Sequence, residues 1–292
     1  MSAVLKPAVT VTPSGKALGA DVSGVDLTRP WPRSQTEAVA QAWSDHLVLR
    51  FRGHRGLSLQ QLADFSRNFG TLDKAPIKAD PNGKVSPDDH PEITIISNVM
   101  VDGQAIGGLG SYEAVWHSDM TYNPVPPKGS ALFAHEIPRS GGNTSFANLY
   151  RAYETLPPEV KRRADTLQCV HDASRNSAGE LRMGFKDITD PLHTVGAVHP
   201  VVRTHPVTGK KCLFLGRRRN AYLVGLPVQE SETLLDQLWA HAAKPEFVWE
   251  QVWQLGDIIL WDNRCTMHRR DSFDATTRRL LYRTQIAGEA VV

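Results

Sequence analysis

AVWHSDMTY, residues 114–122, is the stretch on which the reading of fold and chemistry turns. Apolar and β-favouring residues surround His117-Ser118-Asp119, so a strand or strand end is expected there. Residues i and i+2 of a strand point to one face, which would aim His117 and Asp119 at a common point. Two neutral imidazoles and one carboxylate can cover one face of an octahedral Fe(II), leaving the opposite face for a chelating co-substrate and O2. The third donor must then come from a distant strand, as a β-barrel allows. DIILWDNRCTMHRR, residues 257–270, offers it. Residues 258–261 are a short apolar run suited to a buried strand, Asp262-Asn263-Arg264 reads as a turn, and His268 follows on the next strand or its approach.

A His-x-acid pair alone is weak evidence. With 11 His and 31 acidic residues in 292 positions, random placement yields roughly one such pair. The second occurrence, His90-Pro91-Glu92, lies in the polar, turn-rich stretch 79–92 and carries a proline that would remove a ladder donor, so it reads as a solvated loop.

RRLLYRTQI, residues 278–286, adds an anion-binding signature. Arg279, Leu281, Arg283 and Gln285 share one strand face; Leu280, Tyr282, Thr284 and Ile286 share the other. The two arginines stand about 13 Å apart along a strand, room for two anions beside one metal. Arginine suits this task because its planar fork matches a carboxylate or sulfonate and keeps its charge near neutral pH.

VTPSGKALGADVSGVDL near the start, WHSDMTY, PRSGGNTSFANLYRAYETLP, HPVVRTHPVTGKKCLFLG, WDNRCTMH and RRLLYRTQIAGE follow one another in the order and spacing of a known pattern. Together they resemble the taurine / 2,4-dichlorophenoxyacetate dioxygenase family of Fe(II)- and 2-oxoglutarate-dependent oxygenases. The resemblance implies a mainly β fold with helical insertions, a double-stranded β-helix or jelly roll. It assigns His117, Asp119 and His268 as catalytic iron ligands and places Thr144 and Arg279 on the distal carboxylate of 2-oxoglutarate. Arg283 matches the position that holds the acidic group of the prime substrate. The implied reaction hydroxylates a small anionic molecule (carboxylate, sulfonate or sulfate ester) with O2, releasing succinate and CO2. Related halogenases lack the carboxylate, so Asp119 points to hydroxylation.

Within that pattern, Ala75 replaces a sulfonate-holding histidine and Glu113 replaces a pocket asparagine of the taurine enzyme, while Tyr122 would supply an aromatic wall. A larger carboxylate or sulfonate bearing a hydrogen-bond donor or a cationic portion therefore fits better than taurine. Taurine dioxygenase proper is one alternative. A cupin-like metal- or small-molecule-binding protein without turnover is another, although it needs neither the paired arginines nor Thr144. A zinc hydrolase with the same ligands is a third, and dependence on O2 separates it.

A net charge of +2 implies no nucleic-acid partner, and no run approaches 18 apolar residues, so no membrane span is expected. The first residues lack a secretory h-region, and Cys169, Cys212 and Cys265 are too few and too widely spaced for a disulfide framework; a cytoplasmic setting is expected. One domain over 1–292 is expected, assembled as a homo-oligomer, dimer or tetramer, with lid loops near 73–113 and 172–198. Ser34 should cap a helix through about 45 that buries Ala38, Ala42 and Trp43. Ser58 should cap a second helix ending at Gly70, and a third should span 229–243. Arg217-Arg218-Arg219 reads as a solvated turn or, alternatively, an electrostatic funnel at the pocket mouth. Trp116 reads as a strand buttress, and His171, His193, His199 and His205 as capping or surface groups.

Overall fold

The computed structural model describes residues 9–75 and 89–292. Eight strands form the larger sheet, in the order Thr10–Pro13, Ala20–Ser23, Val48–Phe51, Ile258–Asp262, Gly129–Glu136, Leu280–Ile286, Ile93–Ser97, Gly108–Leu109. Four form the second: Val248–Gln251, Thr144–Asn148, Thr266–Arg270 and Ala114–His117. From Ala114–His117 to Thr144–Asn148, and again from Val248–Gln251 to Leu280–Ile286, successive strands alternate between the sheets; the hairpin from Ile258–Asp262 to Thr266–Arg270 crosses from one to the other. This is the double-stranded β-helix expected from the sequence.

The larger sheet is covered on both faces, and strand periodicity divides its side chains between two cores. Leu132 and Ala134 point between the sheets with Ile259, Trp261, Phe146 and Met267. Ala131 and Phe133 point the other way with Ile258 and Leu260, under Trp43, Leu62, Phe65 and Phe69 of the helical layer. Each fully buried Leu, Ile or Phe contributes about 1.5–3 kcal/mol relative to exposure, so neither face can be given up. Gly129 marks a close helix–sheet approach: a Cβ there would lie 2.5 Å from Cζ2 of Trp43.

The helix Leu59–Arg67 starts as read, with a capping box: Gln61 N–H donates to Ser58 Oγ (3.1 Å) and Ser58 N–H to Gln61 Oε1 (2.9 Å). The helix Val228–Ala242 buries Leu234, Leu235, Leu238, Trp239 and Ala242, also as read. The first helix, Arg33–His46, differs: Pro32 is its N-cap, no side chain caps it, and Val39 rather than the exposed Ala38 joins Ala42 and Trp43. The helices Leu149–Glu154 and Pro158–Ala164 were not foreseen. Of the expected loop at 73–113, residues 76–88 lie outside the described residues. Its later part carries the hairpin Met100–Val101/Gln104–Ala105 and Gly108–Leu109, which pairs parallel with Ile93–Ser97. The 172–198 segment is irregular, as expected, apart from a bridge between Arg175 and Leu181 and a short 3-10 turn at Pro191–His193. No helix of the described residues is long and apolar enough to cross a membrane.

Candidate metal centre

His117 ends its strand, and Asp119 lies in the turn beyond it. Strand alternation therefore does not aim the two side chains together. Asn263 does. From the turn that joins the two sheets, its amide donates to Asp119 O (2.9 Å) and Pro127 O (3.0 Å), and its carbonyl accepts from Asp119 N (2.7 Å). Ser118 Oγ adds a bond to Thr266 O (2.8 Å). The turn bearing the carboxylate is thus pinned to the hairpin bearing His268, which pairs in register with His117. The donor atoms of His117, Asp119 and His268 all lie within 4.8 Å of one another, and the imidazole centroids are 4.2 Å apart.

The protonation states suit a divalent cation. Burial pushes both imidazoles below their usual range, so they are neutral. Burial would raise the Asp119 carboxyl, but the Arg283 guanidinium and the two imidazoles outweigh it and hold Asp119 well below the usual carboxylate range. His117 Nδ1 lies 2.7 Å from Val115 O. With the proton on Nδ1, the Nε2 lone pair is free, 3.7 Å from Asp119 Oδ1. His268 Nδ1 is buried with no hydrogen-bond partner. Two neutral imidazoles, a carboxylate and an orphaned ring nitrogen fit a first-row metal with mixed N/O ligation. Replacing Asn263 with Ala is expected to weaken ferrous binding about 10–100-fold, measured by anaerobic titration; an unchanged affinity would remove Asn263 from the support of Asp119.

A cavity opens beside the two imidazoles, walled by Thr144, Arg270, Arg279 and Arg283 with Ile96, Leu109, Leu132 and Trp261. Arg279 is 1% exposed, donates through Nη2 to Gly142 O (3.2 Å), and leaves Nε without a partner. Burial, then the nearby Arg270, pushes it down to about 9. Gly142 (φ +65) is required here, since a Cβ would sit 3.0 Å from Arg279 Nε. Thr144 Oγ1 accepts from Trp253 Nε1 (3.1 Å), so its own O–H is free to donate into the cavity. Arg283 Nη1 lies 3.2 and 3.1 Å from the two Asp119 oxygens, and its Nε has no partner.

Two expected site residues are not brought to this cavity. Between His268/His117 and Arg270/Ala114 the register shifts, so Ala114 faces inward while the Glu113 side chain, 54% exposed, pairs with Arg269 at 3.5 Å. The Tyr122 ring is held between the guanidiniums of Arg182 (4.0 Å) and Arg217 (5.4 Å) rather than walling the cavity. The arginine run is no solvated turn: Arg217 is buried and bridges to His117, Arg218 pairs with Glu232 and Asp236, and only Arg219 is exposed. Asn263, Trp253 and Arg270 had escaped the sequence reading.

His193 is exposed, and His205 and His199, though buried, cap backbone as expected: His205 Nδ1 accepts from Val207 N–H (3.3 Å) and Thr208 N–H (3.2 Å), and His199 Nε2 lies 2.8 Å from Thr121 O. His171, buried with neither ring nitrogen hydrogen-bonded, fits neither expectation. His205, Asp262 and Cys265 also cluster. Asp262, however, is gripped by Arg264 through both oxygens (2.9 and 2.7 Å) and by His205 (3.0 Å), leaving no free carboxylate for a cation. Burial pushes His171 from its usual 6.5 to about 3, with His199 and Arg217 adding to the effect. The folded state holds it neutral while the unfolded chain protonates it below 6.5, so stability is lost as pH falls from 6.5 toward 3. Replacing His171 with Phe, which keeps a ring against Phe214, is expected to remove one proton from the pH dependence of unfolding across that window. Urea titrations at several pH values check this; an unaltered slope contradicts it.

The taurine catabolism dioxygenase TauD, TfdA family model matches residues 10–285 of this chain. Pentalenolactone F synthase of Streptomyces arenae is 32% identical over 93% of this chain and 93% of its own length. The alpha-ketoglutarate-dependent 2,4-dichlorophenoxyacetate dioxygenase of Cupriavidus pinatubonensis is 33% identical over 97% of this chain and 99% of its own length. Among solved structures, a taurine dioxygenase from Burkholderia xenovorans superposes with a TM-score of 0.79 at 33% identity, covering 98% of this chain and 91% of that one.

Proposed function

The chain belongs to the taurine catabolism dioxygenase TauD, TfdA family, and from that premise we propose that its own residues convert a small organic carboxylate, sulfonate or sulfate ester to the hydroxylated product. The protein is an Fe(II)- and 2-oxoglutarate-dependent dioxygenase. Bound iron and 2-oxoglutarate supply the oxidising power drawn from O2, with succinate and CO2 as co-products.

His117, Asp119 and His268 hold the metal. Arg279 and Thr144 take the distal carboxylate of 2-oxoglutarate: the guanidinium supplies charge, and the hydroxyl, already accepting from Trp253, supplies a directed donor. Arg283 takes the substrate anion through its unpartnered Nε edge while Nη1 stays on Asp119. Ile96, Leu109, Leu132 and Trp261 exclude water from the reacting carbon. The observation that carries the reading is Arg279: a guanidinium buried to 1% exposure, without an acidic partner among the described residues, in one cavity with two neutral imidazoles. A buried cation of this kind calls for an anionic ligand.

Glu113 points away from the cavity, so it offers no argument about substrate charge; Ala75, buried in its loop, still departs from the taurine pattern. The segments near 103–113 and 172–198 act as lids on a single domain, and the protein works in the cytoplasm as a dimer or tetramer. Three buried free cysteines suit a reducing compartment. The test is a panel of aryloxyalkanoates, alkylsulfonates, sulfate esters and amino acids, assayed for substrate- and O2-dependent succinate with identification of the hydroxylated product. Stoichiometric product from one anionic class supports the reading; succinate without any oxidised product across all classes sinks the substrate assignment.

A further inference from the structure

Arg270 lines the cavity and has no task in the reading above. It is 6% exposed. Its Nη2 donates to the carbonyls of Leu109 (3.0 Å) and Tyr112, while Nε and Nη1 are buried with no hydrogen-bond partner. It stands two residues beyond His268 on the same strand and is the cross-strand neighbour of Thr144. Its guanidinium lies 5.5 Å from the Phe273 ring, and that of Arg279 lies 5.8 Å from the same ring. Two guanidiniums therefore share one wall with the Thr144 hydroxyl, and no acidic side chain of the described residues pairs with either.

That arrangement is costly without an anion. Each guanidinium has given up water, and each repels the other across a medium that screens weakly. A carboxylate has two oxygens with about four lone-pair directions, enough for Arg279 Nε, the Thr144 hydroxyl and one unpartnered N–H donor of Arg270. A monodentate hold by Arg279 alone would leave Arg270 as an uncompensated buried charge.

We propose that Arg270 is a second guanidinium for the distal carboxylate of 2-oxoglutarate, and that through its hold on Leu109 and Tyr112 it couples co-substrate binding to ordering of the 108–112 segment. The proposal rests on the reading that 2-oxoglutarate binds beside Arg279. In the bound state the cation is fixed on one side by the carboxylate and on the other by two backbone carbonyls. The wall of the cavity formed by Leu109 is then held more firmly when the co-substrate is present.

The test measures anaerobic binding of 2-oxoglutarate and of 2-oxovalerate to the Fe(II) protein; the second acid has the same chain length and lacks the distal carboxylate. Wild type, Arg270→Met, Arg270→Lys and Arg279→Met are compared, with hydrogen exchange of amides 108–112 followed as 2-oxoglutarate is added. Arg270→Met is expected to weaken 2-oxoglutarate about tenfold or more, to leave 2-oxovalerate unchanged, and to lose the amide protection that 2-oxoglutarate confers on wild type. Arg270→Lys is expected to recover part of the affinity. Equal 2-oxoglutarate affinity in wild type and a folded Arg270→Met protein overturns the proposal, as does an equal loss for both acids, which marks a structural role. If Arg270→Met does not fold, Arg270→Lys decides by the same comparison: a selective loss for 2-oxoglutarate supports the proposal, and no loss overturns it. A wild type that binds neither acid would instead refute the co-substrate site itself, whereas loss confined to Arg279→Met defeats only the role of Arg270.

Discussion

Replacing Asp119 with Ala is expected to abolish ferrous binding and to lower substrate-dependent succinate formation by more than the ~100-fold that loss of an outer partner typically costs. Asp119 supplies the only negative charge among the three donors. It is 3% exposed and kept ionised by Arg283 and the two imidazoles. Without it, two neutral nitrogens would face a divalent cation beside an unopposed guanidinium, and Coulomb repulsion from Arg283 would add to the lost bond. Arg283 faces the cavity, where water can replace its lost partner, so the fold should persist; thermal unfolding checks that. Asp119→Asn preserves shape and removes charge, and should fail almost as fully. Turnover at the wild-type rate in either variant would remove Asp119 from the ligand set.

Arg279→Met should separate binding from stability. Truncating one side of a buried, hydrogen-bonded charge pair costs about 2–5 kcal/mol, so 2-oxoglutarate affinity should fall by about 10²-fold or more. The apo protein should respond in the opposite direction. In wild type the guanidinium is buried with Nε unpaired and Arg270 as a like-charged neighbour. An apolar side chain of similar length removes that desolvation cost, and such replacements are often neutral or stabilising by ~1–4 kcal/mol. The expected pair of results is weaker co-substrate binding together with an unchanged or raised apo melting temperature. A large drop in apo stability would mean that Arg279 serves the fold rather than a ligand.

The outline of the fold and the convergence of the three candidate donors were legible because both depend on local periodicity and ordered motifs. His268 lies on the strand Thr266–Arg270 after a turn at 263–265, one residue later than the Asp262-Asn263-Arg264 turn expected, because Asp262 still belongs to the preceding apolar strand. His117 and Asp119 do meet, but by a mechanism that strand alternation could not supply: the side chain of Asn263, 144 residues away, holds the turn. An Asn in a tight turn ordinarily serves its own backbone, so nothing local reveals this reach. Glu113 was misplaced because a register irregularity moves side chains across the sheet, and a bulge leaves little trace in a four-residue strand. Arg217 was placed in a solvated turn or at the pocket mouth, and Arg270 was not singled out, for a different reason. Charged runs usually face water, and only tertiary packing reveals that these guanidiniums lie inside.

The proposed centre holds one ferrous ion among His117, Asp119 and His268, with 2-oxoglutarate reaching from it to Arg279. Anaerobic titration of the Fe(II) protein with 2-oxoglutarate, followed by the weak visible metal-to-ligand absorption, tests both halves together. The expected band saturates at one equivalent in wild type, is absent in Asp119→Ala, and requires far more 2-oxoglutarate in Arg279→Met. A wild-type protein that binds Fe(II) without developing the band, or a band that persists in Asp119→Ala, would contradict that assignment.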